Sequence, residues 1–351
     1  MEKLRVALIG AGQICRTVHI PGYRSLPETE LVGISDPAPG CARRAAEEAG
    51  IPNWYTDHHQ MLEQLHPDIV SVLTPNRFHC QLTLDALAAG CHVLCEKPPA
   101  MTPEEAEEMS RAADKAGRLL SYDFHLRHAA GVKAAKQLLQ SGRLGEVYAA
   151  DTAWLRRRGI PGWGCFTNRS MQGGGPLIDL GAHMLDLAFY LMDYPVLDYA
   201  CATSSDRIGK SGGSGLMGSW DPAHFTVEDG LFGFLHFKNG ASLHLQTAFA
   251  LHMQPKDLRS LHLYGADGGL SLFPLTFHGF EDGQLTDTQF ISPEEGDLHA
   301  AAIRNFVQAC LGREPLLVTA QQGAYTQRAI GMLYASASSG RPVCAEESAV
   351  K

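Results

Sequence analysis

The chain has no apolar run approaching the roughly 20 residues that a membrane-spanning helix needs, so no bilayer partner is expected. It has no excess of positive charge. Its 29 Lys and Arg against 38 Asp and Glu leave a formal net charge of −9, the wrong sign for a nucleic-acid partner. It has no Cys-x-x-Cys pair. Nine cysteines, an odd number, are scattered from Cys15 to Cys344. Thiols so spaced read as small buried hydrophobes of a reduced, cytoplasmic protein rather than a disulfide framework. The opening Met1-Glu2-Lys3-Leu4-Arg5 runs straight into a strand, so no signal peptide is expected. No internal repeat occurs, and the glycine- and serine-rich piece near 209–219 is the one low-complexity stretch. What is present is an ordinary globular balance, 45% apolar and 19% charged over 351 residues, enough for two domains with their own cores.

The first third alternates strand and helix. Leu4–Ile9 is a short apolar run, and Gly10-Ala11-Gly12-Gln13-Ile14-Cys15 follows before a helix to about Leu26. Strand, glycine turn and helix form the dinucleotide fingerprint: the glycines allow a tight turn and let backbone approach a pyrophosphate at the helix N-terminus. Cys15 stands where Gly or Ala is usual, a small residue all the same. A second strand, Glu30–Ser35, ends in Asp36. A carboxylate there can hold the ribose 2′-hydroxyl of NAD and would repel the 2′-phosphate of NADP; Arg43 and Arg44 would soften that preference. The alternative is that Asp36 caps the next helix. Further strands at Asp68–Leu73, His92–Cys95 and Arg118–Tyr122 end in Thr74-Pro75-Asn76, in Glu96-Lys97-Pro98, and at the point where the pattern changes. Such βα units build a parallel sheet whose ligands bind at the strand C-termini. Thr74, Asn76, Glu96 and Lys97 are therefore expected at the cofactor, and Lys97–Pro98 is a candidate cis peptide.

The middle of the chain holds Gly173-Gly174-Gly175-Pro176, followed by apolar residues at helical spacing to about Met192. On that helix Asp179 and His183 stand four apart and share a face. They are either a proton-transfer pair or a cap and a satisfied core histidine.

These pieces together resemble the Gfo/Idh/MocA family of sugar and cyclitol oxidoreductases. The matching stretches are Gly10-Ala11-Gly12, Thr74-Pro75-Asn76 with His79, Cys95-Glu96-Lys97-Pro98, Arg127 followed by Ser141-Gly142-x-Leu144-Gly145, and the three glycines with Asp179-x-x-x-His183. The resemblance implies that Lys97 lies between nicotinamide and substrate and hydrogen-bonds the hydroxyl being oxidised. It implies that His183 takes that hydroxyl's proton, that Asp179 binds a neighbouring hydroxyl, and that Glu96 contacts the cofactor. His79 is expected with the cofactor-binding residues and Arg127 with the substrate-binding ones. The chemistry is coherent, because a secondary alcohol releases hydride only as its proton is accepted, and an ammonium stabilises developing alkoxide.

Beyond about residue 123 the pattern turns to strands: 147–156, 230–238, 241–250, 259–265 and 270–273, with Lys238-Asn239-Gly240 as a hairpin turn. Helices near 297–312 and 319–339 close the chain. The expected fold is α/β, with an N-terminal Rossmann domain (1–122) and a C-terminal α+β domain (123–351) carrying a large, open, mostly antiparallel sheet. Between its first strand and the glycine turn lies Arg156–Asn168. There Trp163 and Asn168 are candidate substrate contacts, the other reading being a solvated loop bracing a subunit interface. The Gly209–Ser219 loop reads as a flexible flap or a plain surface loop. The strand around Phe232–His236 is nearly apolar on both faces, which predicts a homodimer or homotetramer through that sheet. No Cys/His cluster accompanies His183 and Asp186, so no metal is expected. The overall reading is an NAD-dependent dehydrogenase of a sugar, glycoside or cyclitol hydroxyl. The alternatives are an NAD-assisted glycosidase working by transient ring oxidation and a non-catalytic nucleotide-binding regulator.

Overall fold

A computed structural model describes residues 3–291 and 296–345. The chain forms two compact units. The first runs to His128 and resumes from Gly296 to Gln327; the second takes the segment that starts at Ala129 and the chain from Arg328 onward. The stretch 296–327 therefore leaves the expected second domain and returns to the first. Its helix Leu298–Cys310 buries Ile303, Phe306 and Val307 in the first unit's core, beside Leu8, Tyr23 and Ile34. Gly22 admits that helix, since a Cβ there would lie 2.5 Å from Ile303 Cδ1.

The first unit holds a parallel sheet of β1 (Leu4–Ile9), β2 (Thr29–Ser35), β3 (Trp54–Tyr55), β4 (Ile69–Val72), β5 (His92–Cys95) and β6 (Leu120–Tyr122), in the order β3-β2-β1-β4-β5-β6. Strand order reverses direction beside β1, the switch point of a doubly wound fold. The strands are nearly continuous apolar runs because both faces are covered. Between them lie α1 (Ile20–Arg24), α2 (Cys41–Ala49), α3 (His58–Leu65), α4 (His79–Ala88) and α5 (Pro103–Ala116). Helix α2 buries Ala42, Ala45, Ala46 and Ala49, one stripe at helical spacing. Helix α5 starts as its sequence dictates: Thr102 accepts Glu105 N–H, Pro103 takes the first position, and Gly117 ends it in the left-handed region.

The second unit holds β7 (Val147–Arg156), β8 (Leu197–Ser205), the two-stranded hairpin of β9 (Ser214–Gly215) and β10 (Gly218–Ser219), β11 (Gly230–Phe237) and β12 (Ser242–Ala248), and its nine-stranded sheet has β7, β12 and β11 in its middle. Every pairing is antiparallel except β7 with β12. Asn239 and Gly240 turn β11 into β12, Gly240 at φ 86°. One face of β11 buries Leu231, Leu235 and Phe237, while Phe232 on the other is 36% exposed. Among the described residues no helix is long and apolar enough to cross a membrane.

Candidate active site

In the first unit the expected cofactor residues line the C-terminal ends of β1, β2, β4 and β5. Gly10 sits at φ 100°, and a Cβ there would lie 2.5 Å from Leu73 O, so only glycine makes the turn. A Cβ on Gly12 would meet nothing within 4 Å; the loop offers bare backbone of the kind a pyrophosphate needs. Gln13 is exposed and Ile14 half-buried at the same turn. Asp36 ties the loop in place, its Oδ2 accepting Ala11 N–H at 2.9 Å and its Oδ1 accepting Ala38 N–H at 2.8 Å. Thr74 Oγ1 is buried with no hydrogen-bond partner in the chain, and Asn76 is buried beside it. Bare glycine backbone, an anchored carboxylate and an orphaned hydroxyl at adjoining strand ends fit a dinucleotide.

Lys97 is the one residue between Val93 and Ala100 that is not buried. Its peptide bond to Pro98 is cis, as its motif suggested. Glu96 braces it from within: Oε2 accepts Lys97 N–H at 3.2 Å, and Oε1 lies 3.1 Å from His19 Nε2. His19 closes a π-helical turn, Cys15–His19, that directly follows the glycine loop. The structure thus turns both Glu96 oxygens inward, where the resemblance implied a cofactor contact.

Two more assignments change. His79 places its Nδ1 2.8 Å from Pro98 O and its Nε2 2.9 Å from Thr74 O. It ties two cofactor loops together instead of reaching a ligand, and burial pushes its pKa down despite those carbonyls. Arg127 is fully buried, with Nη1 donating to Leu317 O at 2.9 Å and to Gln322 Oε1 at 2.6 Å. It is a core residue fastening the returning segment, not a substrate contact. Neither role shows in a motif, because burial is a property of the packed chain.

Asp123 was not foreseen. Fully buried after β6, its Oδ2 lies 2.6 Å from His299 Nδ1, and the His299 ring lies against His125, centroids 3.8 Å apart and tilted by 32°. Burial raises an Asp pKa, yet the hydrogen bond and charge of His299, with the charges of His125 and His19, bring Asp123 below its ordinary value. The same pairing overcomes burial at His299 and raises its pKa.

In the second unit Asp179 and His183 lie on one continuous helical rod, but its start is a π-helix, Leu177–Gly181, before the α-helix Ala182–Leu191. π turns of this kind recur at functional sites. Asp179 is half-buried and His183 is 4% exposed. The Trp154 ring of β7 packs on His183 at 5.8 Å, with the Arg259 guanidinium 4.3 Å from the same indole. The three glycines are forced by packing. Gly173 has φ 82°, a Cβ on Gly174 would fall 1.8 Å from Tyr334 Oη, and one on Gly175 would fall 2.1 Å from Glu228 O. Glu228, only 3% exposed, accepts from Tyr334 Oη at 2.8 Å and from Leu177 N at 3.2 Å. It is a carboxylate at the N-terminus of the π turn, where the helix end favours negative charge. Burial pushes its pKa up, and its hydrogen bonds from Tyr334 and the Gly175 and Leu177 amides hold it back in part. The adjacent acids Glu228-Asp229 inside the apolar stretch Phe225–Phe237 were the available signal for a buried carboxylate.

The loop 156–168 divides in role. Trp163 is 49% exposed and meets Phe166 edge-on, free to offer an apolar face. Asn168 is a helix cap, its Oδ1 accepting from Ser170 N and Oγ. The glycine-rich 209–219 loop is pinned to the same segment: Gly162 N donates to Met217 O at 2.9 Å and Leu216 N to Arg158 O at 2.8 Å. It is neither a free flap nor a plain surface loop.

Two family models match the chain: an oxidoreductase family with an NAD-binding Rossmann fold over residues 4–124, and the C-terminal alpha/beta domain of the same oxidoreductase family over 136–345. A D-glucoside 3-dehydrogenase of Escherichia coli (strain K12) is 42% identical over 340 residues, 97% of each chain. The structure of an aldose-aldose oxidoreductase from Caulobacter crescentus, complexed with glycerol, superposes with a TM-score of 0.80 at 27% identity, covering 98% of this chain and 100% of that one. A levoglucosan dehydrogenase in complex with NADH and levoglucosan gives 0.86 at 20% identity, covering 99% and 100%, a likeness of fold.

Proposed function

The chain belongs to the Gfo/Idh/MocA oxidoreductase family, and from that premise we propose that it oxidises the C3 hydroxyl of a D-glucoside with NAD. An NAD-dependent oxidation of a sugar hydroxyl follows from the family and its relatives; the glucoside and the position are the finer step. The observation that carries it is 42% identity over 97% of both chains to a D-glucoside 3-dehydrogenase.

Bound NAD supplies the hydride acceptor. The protein's own residues do the rest. The His183 imidazole, buried under Trp154, takes the hydroxyl proton as the C–H bond breaks. The Lys97 ammonium, presented by the Glu96 brace, stabilises the alkoxide charge that develops on that oxygen. Asp179 accepts from a neighbouring ring hydroxyl and fixes which carbon is presented. Trp163 offers the sugar an apolar face.

We also propose that copies associate through the nine-stranded sheet. The half-exposed Phe232 and Phe234, with His244 and Gln246, line an open depression on its outer face. Light scattering at micromolar concentration is expected to give a dimer or tetramer; a monomer counts against it. All nine cysteines are free and four are buried, which supports a reducing, cytoplasmic setting.

The deciding experiment incubates the enzyme and NAD with alkyl glucosides, free glucose and inositols, reading NADH and the position of the new ketone. A 3-keto glucoside with stoichiometric NADH is expected. Oxidation of inositols alone leaves the family and removes the glucoside. A cleaved glycoside without NADH release identifies the redox-assisted glycosidase.

A further inference from the structure

Away from the cofactor loops, two helices of the first unit bring three metal-ligating side chains to one point. Asp57 caps α3, accepting His59 N–H at 2.9 Å, so His58 and His59 are the helix's first two residues. Their rings lie 4.0 Å apart, tilted by 36°. Both Nε2 atoms approach the same oxygen, Asp85 Oδ2 on α4, at 2.9 Å for His58 and 3.7 Å for His59. One donor atom from each of the three lies within 4.8 Å of the other two.

A Zn²⁺ ion bonded at about 2.0–2.1 Å to N and O ligands in a tetrahedron holds those ligands about 3.3–3.4 Å apart. The two observed separations straddle that value. His59, with a side chain 65% exposed, can make the adjustment without disturbing the core. The surroundings suit the task too. Gln81 Nε2 donates to Asp85 Oδ1 at 2.8 Å, which holds the carboxylate with Oδ2 toward the histidines. Asp57 Oδ1 stands 4.0 Å from His58 Nδ1, a carboxylate beside the nitrogen a metal would not use. The Gln81 hydrogen bond is an outer contact of the kind that orients a ligating carboxylate. The N-terminus of α3 disfavours a cation, and the carboxylates of Asp57 and Asp85 offset it.

We propose that His58, His59 and Asp85 form a binding site for a divalent transition-metal ion, Zn²⁺ best, with water completing the coordination and the ion linking α3 to α4. Two imidazoles with one carboxylate select such an ion over Mg²⁺ or Ca²⁺. Sequence spacing shows no metal motif here. The ligands meet where side chains from the first turn of α3 reach Asp85 on α4. None of the three is assigned a part in hydride transfer, so the site stands apart from the proposed reaction.

The test uses the full chain, stripped with chelator and titrated with Co²⁺, then with Zn²⁺ as competitor. One equivalent of Co²⁺ is expected, with visible d–d absorption, no thiolate charge-transfer band, and full displacement by Zn²⁺. Zn²⁺ should also raise Tm. His59→Ala and Asp85→Asn should abolish both effects while keeping the metal-free Tm close to that of the parent. Gln81→Ala should weaken Co²⁺ binding roughly 10- to 100-fold, as loss of an orienting partner does. Binding that survives His59→Ala and Asp85→Asn, a thiolate band, or no saturation at millimolar Co²⁺ overturns the site.

Discussion

Tyr334 Oη donates a 2.8 Å hydrogen bond to Glu228 Oε1, 106 residues away in sequence, and the same oxygen accepts Leu177 N–H at the start of the turn that carries Asp179. Removing the hydroxyl leaves a buried carboxylate short of a donor, which costs about 1–3 kcal/mol. Tyr334→Phe is expected to lower Tm. Gly174→Ala, whose Cβ would fall 1.8 Å from that hydroxyl, should cost about as much through overpacking. The double variant should be less damaging than the sum, since both changes act on one contact. Additive Tm losses would show that the two residues do not share it.

Lys97→Ala is expected to reduce turnover on the order of 10²–10³-fold by removing charge beside the alkoxide. His183→Ala should reduce it about 10²–10⁴-fold by removing the base. High pH should relieve the His183 defect in part and leave the Lys97 defect unchanged. NAD titrations should be nearly those of the parent in both. A well-folded His183→Ala enzyme with near-normal turnover would end this assignment.

NAD is expected to bind more tightly than NADP. The Asp36 carboxylate is anchored by Ala11 and Ala38 N–H, so it cannot swing away from a 2′-phosphate. At 4 Å such repulsion is about 1–4 kcal/mol across the dielectric range from water to protein surface, roughly fivefold to several hundredfold in Kd. Asp36→Asn keeps an oxygen for Ala11 and drops the charge, so it should narrow the gap. Equal affinity for both cofactors in the parent enzyme would remove Asp36 from the selectivity argument.

The Asp123–His299 pair makes stability depend on pH from two sides. His299 has its pKa raised above the ordinary 6.5, so its contribution is complete below 6.5 and fades as pH rises through the raised value. Asp123 is held below the ordinary 3.8, so its contribution is present above 3.8 and fades as pH falls through the lowered value. The pair stabilises most between those limits. Asp123→Asn should cost on the order of 1.5–3 kcal/mol there, as loss of a charged hydrogen bond does, and should flatten Tm against pH toward alkaline conditions. Tm curves of unchanged shape would show that the pair does not titrate with folding.

Local chemistry was readable from residue order. Gly10-Ala11-Gly12 after an apolar strand, Thr102-Pro103 before a helix and Asn239-Gly240 between strands each act within a few residues, and each stands as expected. Lys97, Asp179 and His183 stand out as candidates for the same reason, through glycine, proline and helical spacing beside them. Arg127 and His79 show where that stops. Both adjoin site motifs, and both are buried braces whose partners lie on other segments, Leu317 and Gln322 for one and Pro98 and Thr74 for the other.

Sequence alone therefore determined the element types, the turn positions and the candidates for the reactive side chains, because propensity, capping and side-chain periodicity are short-range. Tertiary structure decided which polar groups are buried and what satisfies them. Glu228 under the glycine turn, Asp123 against His299, and His58 and His59 against Asp85 are encounters between distant segments. Their energies depend on desolvation and on distances of a few ångströms, which exist only once the chain has packed.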